Sequence, residues 1–317
     1  MPRQPDHHGS ATARREQERH RRRAAGLAEL DRWLLDRVRA GLAHAAPPGR
    51  QPSEELAARM VDAQLPGVAR TVRQLAVLER AGDLRPAPLL EELALLHLLA
   101  CSPWQEGEHL PAPLVHSVRA ELGLPVTRRE VLAAPPVTDV WQVLAQRQTT
   151  EQRLTTSQVW LHGRATGQLA EVRSFGGRDH PVDDTLNPGD VLRADLHHHP
   201  AATPLRALVG EIHERPGRWV PPSCGTLGAA FTRWADAVVA NPWTRSWPVL
   251  VTATPVVEGD RWWLVDTEGS APLLDAGESA WVLLAESGGV PVPLLAEVVP
   301  GGLRALALLT HHPPIAL

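Results

Sequence analysis

The chain has 317 residues, 43% of them hydrophobic and 21% charged, a balance that excludes a disordered polymer and suffices for one large or two ordinary domains. A net charge of −4 argues against a broad nucleic-acid coat, and two distant cysteines, Cys101 and Cys224, argue against a disulfide framework. No run of about 18 apolar residues occurs and no apolar leader opens the chain, so the expectation is a soluble cytoplasmic protein.

Aromatic usage is lopsided, with 11 Trp, 2 Phe and no Tyr, and all 32 basic residues are arginine. We read this as the coding bias of a high-GC bacterial genome.

Residues 1–23 read as a disordered or Arg-rich arm. From Gly26 to Ala43, Leu27, Leu30, Leu34, Val38 and Leu42 recur at three- and four-residue steps and predict an amphipathic helix. Pro47-Pro48-Gly49 ends it. Ser53 is an N-cap candidate with Glu54 and Glu55 in the first turn, where the helix dipole favours acids, and that helix closes near Pro66-Gly67. A third helix runs from Val68 to Ala81. Leu89 to Leu99 is apolar nearly all round and should be the buried centre. Leu114 to Leu122 forms another. Thr127 and Glu130 make a capping box for a short helix ending before Pro135-Pro136, and Asp139–Gln146 reads as a last helical piece. The helical domain is therefore placed at 24–147.

Beyond it the pattern shortens and partly alternates. Gln152–His162, Gln168–Phe175, Val191–His198 and Leu205–Ile212 read as strands separated by Gly-, Pro- and Asp-rich turns. One helix interrupts at Leu227–Val239. Strand patterns return at Pro248–Val257, Trp262–Asp266, Trp281–Glu286, Val292–Val299 and Leu303–Leu309, so 148–317 is predicted to be a β-rich domain. Helices followed by strands make an α+β protein: a helical, bundle-like half, then a mainly antiparallel β half with one inserted helix.

Most catalytic signatures are missing. A P-loop needs a lysine, no G-x-G-x-x-G joins a strand to a helix, and Gly277-Glu278-Ser279-Ala280-Trp281 lacks the closing glycine of a nucleophile elbow. His213-Glu214 runs into Pro216-Gly217, so no second helical ligand follows, and two cysteines cannot build a four-thiolate zinc site.

Four features keep some chemistry open. In Asp195-Leu196-His197-His198-His199-Pro200 a strand would put Asp195, His197 and His199 on one face, a donor set for a divalent metal. Solvated histidines at a strand end are the plainer reading. Asp179, Asp183, Asp184 and Asp190 do not fit a calcium loop and read as turn residues. Arg14, Arg15, Arg19, Arg21, Arg22 and Arg23 would spread around a helix, suited to phosphate contact without base reading, although Glu16 and Glu18 dilute them. Cys224 precedes a helix but has no adjacent base, so a structural thiol is the default. The tryptophans read as core filler, with any exposed one a strong contact residue.

Ala24–Ala43, the run Ala57-Ala58-Arg59-Met60-Val61-Asp62-Ala63-Gln64-Leu65-Pro66-Gly67, and Leu95-Leu96-His97-Leu98-Leu99 together resemble bacterial SWIM zinc-finger family proteins in the region downstream of the finger. Arg129-Glu130-Val131-Leu132, Val140-Trp141-Gln142-Val143-Leu144, Trp160-Leu161-His162-Gly163, Pro204-Leu205-Arg206-Ala207-Leu208 and Trp281-Val282-Leu283-Leu284 extend the resemblance from about residue 20 to the end. The finger's C-x-C and C-x-H ligands would lie before Arg14, where there is no cysteine, so no zinc ligand carries over. Zinc is thus expected only if such a finger exists outside this sequence. The resemblance implies an accessory role near MoxR-type AAA ATPases and von Willebrand A-domain proteins.

The reading is a non-enzymatic adaptor acting by protein contact, with such an ATPase as its expected partner. Its alternatives are a nucleic-acid binder using the arginine run and a metal-dependent enzyme using Asp195, His197 and His199.

Overall fold

The computed structural model describes residues 7–41, 52–80, 86–102, 110–124, 126–151, 154–177, 181–183 and 185–317. Pro47-Pro48-Gly49, Asp179 and Asp184 lie outside them. The chain divides into two compact units, Met1–Val126 and Thr127–Leu317. The boundary drawn from sequence at 147/148 falls inside a strand instead.

The first unit is helical. α1 (His7–Ala40) is followed by α2 (Pro52–Asp62), α3 (Pro66–Arg80), α4 (Pro86–Cys101) and α5 (Ala112–Leu122). α1 takes in the arginine run, so the separate arm expected at 1–23 is, from His7 onward, the first turns of a core helix. Leu27, Leu30 and Leu34 of α1, and Leu56, Met60, Val72, Leu93, Leu96 and Val118 of the helices that follow, are fully or nearly fully buried. Those spacings are the helical ones that predicted the stripe.

Two turns fix the frame. After α2, Gln64 adopts a left-handed φ of 61°, with Leu65 N–H donating to the Met60 carbonyl and Gln64 N–H to Val61. This paired cap, a Schellman motif, lets Pro66 open α3, where its missing N–H costs nothing. Pro66-Gly67 is therefore a helix start, not only a stop. The same cap recurs after α5 at Gly123, φ 80°. There Gly67 and Gly123 let two backbones touch, since a Cβ on Gly67 would lie 2.0 Å from the Glu121 carbonyl oxygen.

The second unit opens with α6 (Arg128–Ala133), whose capping box stands as predicted: Glu130 N–H donates to Thr127 Oγ1 at 3.2 Å, and Thr127 N–H to Glu130 Oε2 at 2.7 Å. β1 (Val137–Glu151), β2 (Leu154–Gly163), β3 (Leu169–Gly176), β4 (Val191–His198) and β5 (Arg206–Glu214) close a barrel in the order β1-β2-β3-β5-β4. All pairs are antiparallel except β3–β5. The helix expected at Asp139–Gln146 is thus strand: Pro135-Pro136 push the chain extended, and Trp141 and Val143 alternate into the barrel interior.

α7 (Leu227–Ala240) leads to an antiparallel sheet of β6 (Trp247–Glu258), β7 (Arg261–Val265), β8 (Ser270–Pro272), β9 (Val292–Val299), β10 (Gly302–Leu308) and β11 (Ile315–Ala316), ordered β11-β10-β9-β6-β7-β8. Trp281–Glu286, expected as strand, lies in α8 (Gly277–Ser287). Ala280, Leu283 and Ser287 are its buried stripe, a three-to-four spacing hidden within a continuous apolar run. Leu144, Ala145 and Trp160 from outside the barrel pack with Leu295, Leu306, Ala307 and Leu309 of the sheet, joining the two layers. The α+β class is borne out.

Candidate functional site

One end of the barrel is built around Asp139. Its carboxylate accepts from Val140 N–H, Ala165 N–H, Thr166 N–H and Thr166 Oγ1–H at 2.6 to 3.2 Å. Gly163 makes room for this turn, because a Cβ there would sit 2.5 Å from both Asp139 Oδ2 and Thr166 Oγ1. Burial opposes ionisation of Asp139, yet the donations from Thr166, Ala165 and Val140 outweigh it and hold the carboxyl below its ordinary range.

Beside the turn, His162 on β2 stands opposite Gln142 on β1. Gln142 exchanges two hydrogen bonds with the Val220 backbone and so pins the loop before α7. His162 is 9% exposed and its Nδ1 is buried without a partner. Burial pushes its pKa down against the opposing pull of Asp139, so the imidazole is neutral near pH 7. A cleft of about 570 Å³ opens here, lined by His162, Arg164, Ser223 and Arg233 among others. It meets a second hollow of about 830 Å³, bordered by His198 and Asp236, at Thr166, Gly167 and Arg233. The size suits a small ligand, but among the described residues that line it no nucleophile is hydrogen-bonded to a base.

The metal trio expected on β4 does not assemble. Asp195 accepts from Thr138 and lies 3.1 Å from His213 Nε2, an arrangement that lowers its pKa through the Thr138 bond first and the His213 bond second. His197 Nδ1 is 2.8 Å from the Ala134 carbonyl. His199 lies past the strand end, half-buried, with its pKa lowered to about 4 by burial and by Arg206 and His198. Strand periodicity placed Asp195 and His197, but Thr138 of β1 and His213 of β5 engage Asp195, the C-cap carbonyl of α6 engages His197, and His199 Nε2 is buried without a partner. His213 itself turns to Asp195 and Glu211.

Arg14, Arg15, Arg19, Arg21 and Arg22 are exposed on α1, with Arg22 paired to Glu18 at 3.2 Å. Arg23 is half-buried, and burial followed by the charges of Arg19 and Arg119 lowers its pKa. Cys224 is pushed up to about 11 by burial and stays a thiol.

Two features escaped the sequence. Trp281 is 60% exposed on α8, its ring edge-on to Trp262 with centroids 4.9 Å apart. In the first unit Asp31 of α1 meets His97 and Cys101 of α4, and among the described residues these form a group of three potential ligands within 4.8 Å of one another. The His97-x-x-x-Cys101 step was visible as a same-face spacing, but its partner lies 66 residues away.

The first unit is thus a bundle of α-helices attached to a barrel-and-sheet unit. Residues 18–122 match the SWIM-associated four-helix bundle domain, which bears out the resemblance over that span. No curated protein and no solved structure is a significant match to the chain.

Proposed function

We propose that this is a non-enzymatic accessory protein that acts by protein–protein contact. The observation that carries the reading is Trp281: a large aromatic, 60% exposed and propped by Trp262, next to Val282 at 41% exposure. Val257, paired with Trp262 across β6–β7, is 40% exposed and extends the apolar surface. An exposed tryptophan on an apolar patch belongs to the side-chain types enriched at interface hot spots. The SWIM resemblance supplies the candidate partner, a MoxR-type AAA ATPase working with a von Willebrand A-domain protein.

The test is recovery from the native host of wild-type chain and Trp281→Ala under crosslinking. Wild type should retain the ATPase in near-stoichiometric amount, and the variant should lose more than about tenfold, the scale of a hot-spot truncation. A wild-type chain recovered as a clean monomer sinks the proposal.

A second reading is nucleic-acid binding, favoured by a specific surface. The five-stranded barrel has the architecture of the OB-fold, a frequent oligonucleotide binder, although that is fold-level analogy. On its outside Phe175 is 52% exposed, with the Arg206 guanidinium 5.9 Å from the ring centroid. An aromatic face beside a cation suits base stacking on a single strand. Single-stranded oligonucleotide binding that weakens in Phe175→Ala and falls steeply with salt would favour this reading over the adaptor.

A further inference from the structure

We propose that Asp31, His97 and Cys101 form a zinc-binding site that clips α1 to α4. His97 and Cys101 stand one helical turn apart on α4 and so share a face, and Asp31 reaches them from α1, next to the fully buried Leu30. His97 Nδ1 is 2.6 Å from Asp31 Oδ1. Cys101 Sγ is 3.9 Å from that oxygen and 3.8 and 3.9 Å from the two ring nitrogens. A tetrahedral zinc with ordinary bond lengths separates a nitrogen and an oxygen ligand by roughly 3.3 Å, and a sulfur from either by roughly 3.6 Å. The observed separations lie within about 0.7 Å of these values, an adjustment on the scale of side-chain rotation. One thiolate, one imidazole and one carboxylate are ligands that zinc accepts together, and a water completes the fourth position.

The helices hold this geometry from below. Leu27, Leu30 and Leu34 on α1 and Leu93 and Leu96 on α4 are buried around it. The cluster itself sits at the rim, with the Asp31 and His97 side chains 30% and 48% exposed, so an ion can enter.

A competing reading is a Cys-His-Asp nucleophile, and the geometry disfavours it. The sulfur is equally far from both ring nitrogens, so neither lone pair points at it. Burial, followed by the Asp31 charge and hydrogen bond, raises the Cys101 pKa, the reverse of an activated thiol. A divalent cation among the three groups reverses that order and draws the thiolate out.

The experiment uses the full chain, purified without a histidine tag and stripped with a chelator. Zn²⁺ is titrated against a chromophoric competitor, and Co²⁺ is used as a spectroscopic probe. Wild type should take up one equivalent of zinc, and the cobalt form should show thiolate-to-metal charge-transfer absorption. Cys101→Ser should abolish that band. His97→Ala should weaken zinc by more than the roughly 100-fold that outer-shell changes reach. Bound zinc should also slow alkylation of Cys101 and raise the Tm of wild type but not of Cys101→Ser. Wild-type cobalt protein without a thiolate band overturns the proposal whatever the variants do. So does zinc uptake that is unchanged in both variants while their helicity is intact.

Discussion

Asp139 shows how one side chain organises a barrel end. Its four donors come from three residues on two segments, so Asp139→Asn leaves some of them facing an amide NH₂. We expect a loss of roughly 1–3 kcal/mol in denaturant unfolding. Because the folded pKa is depressed, the contribution is complete above the unfolded value of about 3.9 and is lost as pH falls through the lower folded one. The wild-type advantage over Asp139→Asn should therefore shrink below about pH 4.

His199 titrates at about 4 when folded. Unfolded chain takes the proton near 6.5, so stability should decline as pH falls from about 6.5 towards 4. Burial lowers His198 and His162 in the same direction. NMR titration of the imidazoles checks this, and His199→Gln should flatten the acid limb of Tm against pH.

At the scale of elements, legibility followed period and punctuation. The α1 stripe, the Thr127–Glu130 capping box and most β strands could be read because their spacing is local. α8 and β1 were exchanged in kind because short apolar runs such as Trp281-Val282-Leu283-Leu284 and Val140-Trp141-Gln142-Val143-Leu144 fit either period. Their neighbours decided the outcome: β2 and β4 flank β1, whereas α8 ends on Gly288 in the left-handed region. The candidate sites were less legible still. Asp31 with His97, and Trp281 with Trp262, are tertiary meetings that no spacing encodes.

The glycine crossing offers a sharp test at this scale. Gly67→Ala would drive a Cβ into the backbone of α5, which cannot step aside as a side chain would. We expect a cost of roughly 3 kcal/mol, at the upper end of overpacking, measured by thermal or denaturant melts. Arginine substitution on α1 bears on the nucleic-acid reading. Since α1 also supplies Leu27, Leu30 and Leu34 to the core, deleting residues 1–25 would cut into the fold, whereas glutamine at Arg14, Arg15, Arg19, Arg21 and Arg22 removes only charge. If these arginines contact phosphate, the salt slope of binding should drop by about 0.7 per lost single-strand contact.

At the scale of the whole molecule, the division between Val126 and Thr127 predicts that each unit keeps its own melting transition. The core clusters of the barrel and of the sheet draw only on residues after Thr127. A fragment of 127–317 should therefore unfold cooperatively by calorimetry, and a broad, non-cooperative trace would contradict the division.

The ordering of the strands carries a last consequence, for colloidal behaviour. The barrel closes on itself and has no rim strand, and the sheet is terminated by its two shortest members, β8 and β11. Little backbone is left as a template on which another polypeptide could register, a common guard against fibre growth. Trimming the chain after Pro313 would uncover the hydrogen-bonding margin of β10 at Ala307 and Leu308, and light scattering should then report more association than in the intact protein.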